Sequence, residues 1–197
     1  ELRQPVEMVR GVVDVLADGL PLEPDEAREL LRTALESLER QEQLISSILQ
    51  LGRLEEGSIE VHARTVDVRP FLEGAIASVD TYGRASGVEI SHDFGGPTDT
   101  IMAVADPDLL ARAVGNLLRN AVEACQRGGR VTVTASTGAS GVVIAVKDNG
   151  VGIADDDLPR IFQRYERLGS YHPGAGLGLY LAQQWTMAFG GSLDASS

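Results

Sequence analysis

Leu2, Val6, Val9, Val13, Leu16 and Leu20 recur at alternating spacings of four and three, which is a heptad seam along one face of a helix. Pro5 falls in the first turn, where a missing amide costs little, and Gly19 and Pro21 end the helix. Pro24-Asp25-Glu26 opens a second helix, with a proline and two acids suited to its positive end. Its seam runs through Ala27, Leu31, Ala34, Leu38, Gln41, Ile45 and Ile48, and Gly57 is its stop. Leu30, Leu35, Leu44 and Leu49 lie beside the seam and widen the apolar stripe. A lone antiparallel hairpin cannot bury such a stripe, so dimerisation into a four-helix bundle is expected.

Beyond Gly57 the pattern changes. Short β-branched runs at 59–61, 88–90, 101–104, 130–135 and 142–147 alternate with helical stretches at 69–85, 106–126 and 177–189. Asp106 and Pro107 supply the cap and first position of the second of these. The run 130–147 reads as a hairpin turning at Gly138 to Gly141. The expected fold class is α+β: a helical hairpin over 1–57, then an α/β sandwich over 58–197 with a mixed, largely antiparallel sheet.

At 197 residues with 17 Lys and Arg against 29 Asp and Glu, the net charge of −12 excludes a broad phosphate-tracking surface for nucleic acid. Any anion site must be local. Cys125 is the single cysteine, which excludes an internal disulfide and a cysteine-built metal cage and fits a reducing compartment. No apolar run approaches the ~20 residues of a membrane span, and the acidic start is not a secretory signal. The expectation is a soluble, cytoplasmic piece, with any membrane attachment in regions outside this chain.

Four motifs follow in order within the second region. Asn116-Leu117-Leu118-Arg119-Asn120 puts two carboxamides one turn apart, able to offer oxygens to a hard cation and amide hydrogens to phosphate. Asp148-Asn149-Gly150-Val151-Gly152 follows a strand; the carboxylate can accept from an exocyclic amine, and the glycines admit a flat ring or a phosphate. In Ile161-Phe162-Gln163-Arg164-Tyr165-Glu166-Arg167 the aromatics are expected to pack, leaving Arg164 or Arg167 for phosphate. Gly174-Ala175-Gly176-Leu177-Gly178 opens into a helix, whose free amides attract phosphate without net positive charge. It follows a loop rather than a strand and lacks Gly-Lys-Ser/Thr, so it is neither a dinucleotide fingerprint nor a P-loop.

In this order the four segments resemble the N, G1, F and G2 boxes of the Bergerat-fold ATP-binding domains. Histidine kinases, type II topoisomerases, heat-shock chaperones and mismatch-repair ATPases share that fold. The hairpin resembles the dimerisation and histidine-phosphotransfer domain of sensor histidine kinases. Glu1-Leu2-Arg3-Gln4-Pro5-Val6 is similar to the family's His-Glu-Leu-Arg-Thr-Pro-Leu box from its second residue onward.

The resemblance implies a two-component histidine kinase core that binds ATP and Mg²⁺, forms a homodimer and passes phosphate to a response-regulator receiver domain. Asp148 would hold the adenine amine, with Gly150 and Gly152 shaping its pocket. Asn120 would coordinate Mg²⁺ and Asn116 would help at the phosphates. Arg167 would grip the γ-phosphate, and Gly174, Gly176, Leu177 and Gly178 would wrap the phosphates. Glu1 would handle the imidazole proton of a histidine immediately preceding it.

The sequence also departs from the pattern. Gln4 stands where many members have Thr or Asn for a dephosphorylating water, Glu123 replaces a basic residue, the lid is short, and one strand is expected around Leu193. His62 and His92 fall in expected strands and His172 in the lid, so packing or surface roles are expected for all three. Hydrolysing relatives carry a glutamate where this chain has Asn116, whose carboxamide cannot act as a base, which favours transfer over hydrolysis. A same-fold ATPase and a degenerate docking scaffold are the alternative readings.

Overall fold

The computed structural model describes residues 3–18, 23–57, 59–96, 100–138, 141–166 and 176–197. The chain divides into two compact units, Glu1–Gly57 and Ser58–Ser197.

The first unit is α1 (Arg3–Ala17) packed against α2 (Pro24–Glu55). Pro24 occupies the first turn of α2, and the Glu23 amide donates to Glu26 Oε2 at 3.1 Å, which satisfies a backbone donor at the helix start. Val12, Ala34, Ser37 and Leu51 are buried. Val6, Val13, Leu31, Leu38, Ile45 and Ile48, all seam positions, remain 42–55% exposed within a single chain. The inward face of α1 therefore lies on Val12, beside the heptad seam, and most of the seam is left to face another surface. The expected turn at Gly19 and Pro21, with Leu20, lies outside the described residues.

The second unit holds β1 (Arg64–Asp67), α3 (Arg69–Ser86), β2 (Glu89–Asp93), β3 (Met102–Ala105), α4 (Pro107–Ala124), β4 (Arg130–Gly138), β5 (Gly141–Asp148) and α5 (Gly178–Ala188). β1 and β3 pair antiparallel, with Arg64 opposite Ala105. In the second sheet, ordered β2-β4-β5, β2 runs parallel to β4 and β4 antiparallel to β5. This sheet is thus mixed, with one parallel and one antiparallel pairing, and across both sheets two of the three pairings are antiparallel. Helices α3 and α4 pack together, and their apolar faces (Leu72, Ala75 and Val79; Leu110, Val114, Leu118 and Val122) close with Val131 and Val133 of β4 into one core.

Two expectations need correction. The run 59–61 is not a strand; pairing begins at Arg64, because the preceding backbone is taken up elsewhere, with the His62 amide donating to Asp106 Oδ2 at 2.7 Å. His62 accordingly lies outside any strand, while His92 lies in β2. Residues 189–197 form no strand around Leu193; no ladder partner receives them, and Ser197 Oγ instead accepts from the Ile153 amide at 2.7 Å.

Asp106, 3% exposed, joins these parts. Its Oδ1 caps α4 by accepting from the Asp108 and Leu109 amides, and its Oδ2 anchors His62. Burial by itself raises its pKa, but the bonds from His62, Leu109 and Asp108 and the nearby His62 charge outweigh it and hold the carboxyl below its ordinary value. Asp106→Ala leaves those donors without an acceptor and is expected to cost about 2–3 kcal/mol in urea unfolding. A lowered folded pKa means this contribution is present above about pH 4, the unfolded value, and is lost as pH falls through the lower folded value. Acid titration of stability should therefore be flatter below pH ~4 in Asp106→Asn than in the parent chain.

Candidate functional site

Asn116, Asn120 and Ala124 stand at i, i+4 and i+8 on α4 and so form one stripe along the helix. The opposite face, with Leu110, Val114, Leu118 and Val122, is in the core, which fixes the direction in which the stripe looks. Two separate segments of chain attach to it, the Gly178 turn at its first two positions and the Gly150-Val151 loop at the third.

At the first position, Asn116 Nδ2 donates to the Gly178 carbonyl at 3.2 Å. At the second, Asn120 faces Gly178 itself: a Cβ there would stand 3.5 Å from both Oδ1 and Nδ2 of the carboxamide. Helix α5 is drawn against α4 by Leu181, Ala182 and Trp185, all buried, and Leu177 just before it is 1% exposed.

At the third position the Ala124 carbonyl accepts from the Val151 amide at 3.1 Å. The approach is so close that a Cβ on Gly150 would stand 2.5 Å from that oxygen, so only glycine fits. Asp148 Oδ1 accepts from the Gly150 amide at 2.9 Å, which fixes the orientation of an exposed carboxylate at the end of β5. Asn149 holds the loop from the other side: its Oδ1 accepts from the Arg130 amide at 2.7 Å, and its own amide donates to the Arg130 carbonyl. Burial pushes the Cys125 thiol up, and the Asp148 carboxylate raises it further, so this cysteine stays protonated near neutral pH.

Segment 157–166 is irregular and is anchored by buried Ile161 and by Arg160, which pairs with Asp157 and Glu166. The Tyr165 amide donates to the Gly176 carbonyl at 2.9 Å. Gly176 has φ +66°, and a Cβ there would stand 2.6 Å from the Glu166 carbonyl, so the contact requires glycine twice over. Tyr165 does not pack as expected. It is 63% exposed with φ +62°; the segment is not a helix, so the i, i+3 spacing with Phe162 does not put the two rings on one buried face.

The structure thus brings Asn116, Asn120, Asp148, Gly150, Leu177 and Gly178 to α4 and Gly176 to Tyr165. Gly152, at φ +70°, lies beside Ser197 instead. Glu1, Arg167, Gly174 and His172 lie outside the described residues. Sequence reasoning missed Asn149 as the loop anchor and Ala124 as a docking point. The second has no side-chain signal, since its backbone carbonyl does the work. The exposed carboxylate of Asp148, the bare backbone at Gly178 and the Asn120 carboxamide fit a nucleotide and a hard cation. No cluster of three or more His, Cys, Asp or Glu able to hold a metal occurs among the described residues.

Residues 105–197 match the model of the histidine kinase-, DNA gyrase B- and HSP90-like ATPases, and residues 1–57 match that of the His Kinase A (phospho-acceptor) domain. The chain belongs to the sensor histidine kinase family. Sensor protein SrrB of Staphylococcus aureus is 24% identical over all of this chain and 34% of its own length, so the chain spans about a third of that relative. The crystal structure of full-length ShkA in complex with AMPPNP is 27% identical, with TM-score 0.66 over 95% of this chain and 39% of ShkA. The histidine kinase ThkA in complex with the response regulator TrrA has the same fold, with TM-score 0.68 and 18% identity over 97% of this chain and 53% of ThkA.

Gly150→Ala should lower unfolding free energy by about 1–3 kcal/mol, because the new methyl group and the α4 backbone cannot share the space. Hydrogen exchange of the Val151 amide should accelerate as its bond to Ala124 is lost. Gly115→Ala, in open space on the same helix, is the control and should be neutral or slightly stabilising in the same thermal unfolding measurement.

Proposed function

We propose that this chain is the catalytic core of a two-component histidine kinase. In this reading 58–197 binds Mg²⁺-ATP, and 1–57 is the dimerisation and phosphotransfer hairpin. The γ-phosphate goes to a histidine immediately preceding Glu1 and then to a response-regulator aspartate. The observation that carries the reading is the stripe on α4, which gathers the Asp148 loop and the Gly178 turn on one helix and has Asn116, not a carboxylate, beside the second. The nucleotide in the ShkA structure and the response regulator in the ThkA structure support it by relationship.

Each residue then has a defined task. Asp148, its Oδ1 already engaged by Gly150, presents its carboxylate to the adenine amine. Gly150 and Gly152 shape the base pocket. Gly174, Gly176, Leu177 and Gly178 offer backbone amides at the start of α5, where the helix dipole also favours phosphate. Arg167 pairs with the γ-phosphate. Asn120 would hold Mg²⁺, which neutralises charge on the phosphates during transfer. Asn116 keeps Gly178 in place and has no basic lone pair with which to activate water, so phosphate passes to imidazole rather than to solvent. Glu1 accepts or orients the imidazole proton so that the other ring nitrogen attacks the γ-phosphorus.

Among the described residues no helix is long and apolar enough to cross a membrane. We place the chain in the cytoplasmic part of a sensor kinase, with any membrane attachment in regions outside it.

Asp148→Asn sets a donor against the adenine amine and should weaken ATP binding by at least ~1–3 kcal/mol in calorimetry. Unchanged affinity would remove the adenine assignment. Asn120→Ala should weaken ATP binding in Mg²⁺ and leave adenosine binding nearly intact; equal effects on both ligands would make Asn120 structural.

The exposed seam of the hairpin supports a homodimer. Leu38→Glu with Ile45→Glu puts carboxylates where a partner helix would lie, at a cost of several kcal/mol, and should yield monomers or unfolded helices. Light scattering that finds the unsubstituted chain monomeric at high micromolar concentration would refute the bundle.

A further inference from the structure

Segment 157–166 contains no helix or strand, yet it lies against the start of α5 through two contacts. One is the backbone bond from Tyr165 to Gly176. The other joins side chains: Arg164 Nη2 donates to Tyr180 Oη at 2.7 Å, and the guanidinium lies 4.7 Å over the Tyr180 ring. Tyr180 is two residues beyond Gly178, in the first turn of α5. That turn is therefore held from opposite directions, by Asn116 on the α4 side and by Arg164 on the irregular side.

A cation at a helix N-terminus is opposed by the helix dipole, so Arg164 stands there because the stack and the hydrogen bond hold it. Both need specific partners, a planar guanidinium and a phenol ring. We infer that Arg164 and Tyr180 form a brace that positions the first turn of α5, and with it Gly178, for the nucleotide phosphates. This rests on the nucleotide reading above. Arg164 is a positioning residue here, acting through Tyr180 rather than on the phosphates. The brace makes the register of the glycine turn depend on segment 157–166 as well as on α4.

The test is calorimetry of Mg²⁺-ATP and of adenosine on the full chain, with circular dichroism and thermal melts to show that each variant folds. Arg164→Ala and Tyr180→Ala should each raise the ATP Kd about tenfold, in line with one charge-assisted bond plus one stack, and leave adenosine affinity unchanged. The double variant should lose no more than either single one, because each substitution already removes the shared contact. Arg164→Lys, which keeps the charge but not the plane, should behave like Arg164→Ala, and Tyr180→Phe should retain affinity within about threefold of the parent.

The brace is overturned if Tyr180→Ala binds ATP as the parent does while Arg164→Ala does not, which would make Arg164 a direct phosphate ligand. Additive losses in the double variant, parent-like binding by Arg164→Lys, or equal losses for adenosine and ATP overturn it as well. A parent chain that binds no ATP overturns the nucleotide reading and the brace together, whereas a parent that binds ATP with variants indistinguishable from it overturns the brace alone.

Discussion

Helix α4 has to be two things at once, and the second unit is organised around that requirement. One face supplies Leu110, Val114, Leu118 and Val122 to the core. The other offers Asn116, Asn120 and the carbonyl of Ala124 at four-residue intervals. Because the helix is rigid, the three attachment points are fixed relative to one another, and so are the segments bound to them. Asp106 sets where this rod begins, by capping it and tying its first turn to His62. The site thus takes its geometry from a helix, which is stiffer than the loops that carry most of the motif residues.

The net charge of −12 shapes the chemistry open to such a site. A polyanionic ligand approaching this protein meets repulsion on average, so attraction must come from short-range, directed groups. In the proposed nucleotide site, backbone amides at the start of α5, carboxamides on α4 and a few arginines would provide it without a basic surface. The exposed Asp148 carboxylate belongs to the same economy, since it can recognise an amine but would repel a phosphate, and it lies at the opposite end of the α4 stripe from Asn116.

The hairpin obeys a different constraint. Among the described residues, its two helices bury few side chains, and their apolar seam is left largely open in a single chain. Local propensity and the Glu23 and Glu26 cap start α2, but the exposed leucines and isoleucines of this 32-residue helix gain little from burial within a single chain. The second unit carries its core internally, whereas the hairpin leaves most of its seam open within a single chain.

Periodicity determined most of the elements, because a buried helix face or strand face leaves a repeating mark in the residues: α2, α3 and α4 begin within a residue or so of the expected positions, and Asp106 was legible as a cap from its place before Pro107. The motifs at Asn116, Asp148 and Gly178 were legible because their chemistry lies in side chains or in glycine. What the sequence could not express was decided by atoms common to every residue. The Ala124 carbonyl receives Val151, the Arg130 backbone receives Asn149, and the His62 amide finds Asp106 instead of a strand partner. The same limit applies to the strands misplaced at 59–61 and around Leu193, whose β-branched or apolar residues join neither sheet. It also explains Tyr165, whose left-handed backbone turns it outward although its composition suggests packing. Side-chain pattern is written in the sequence residue by residue; backbone hydrogen bonding across distant segments is settled only when the fold brings those segments together.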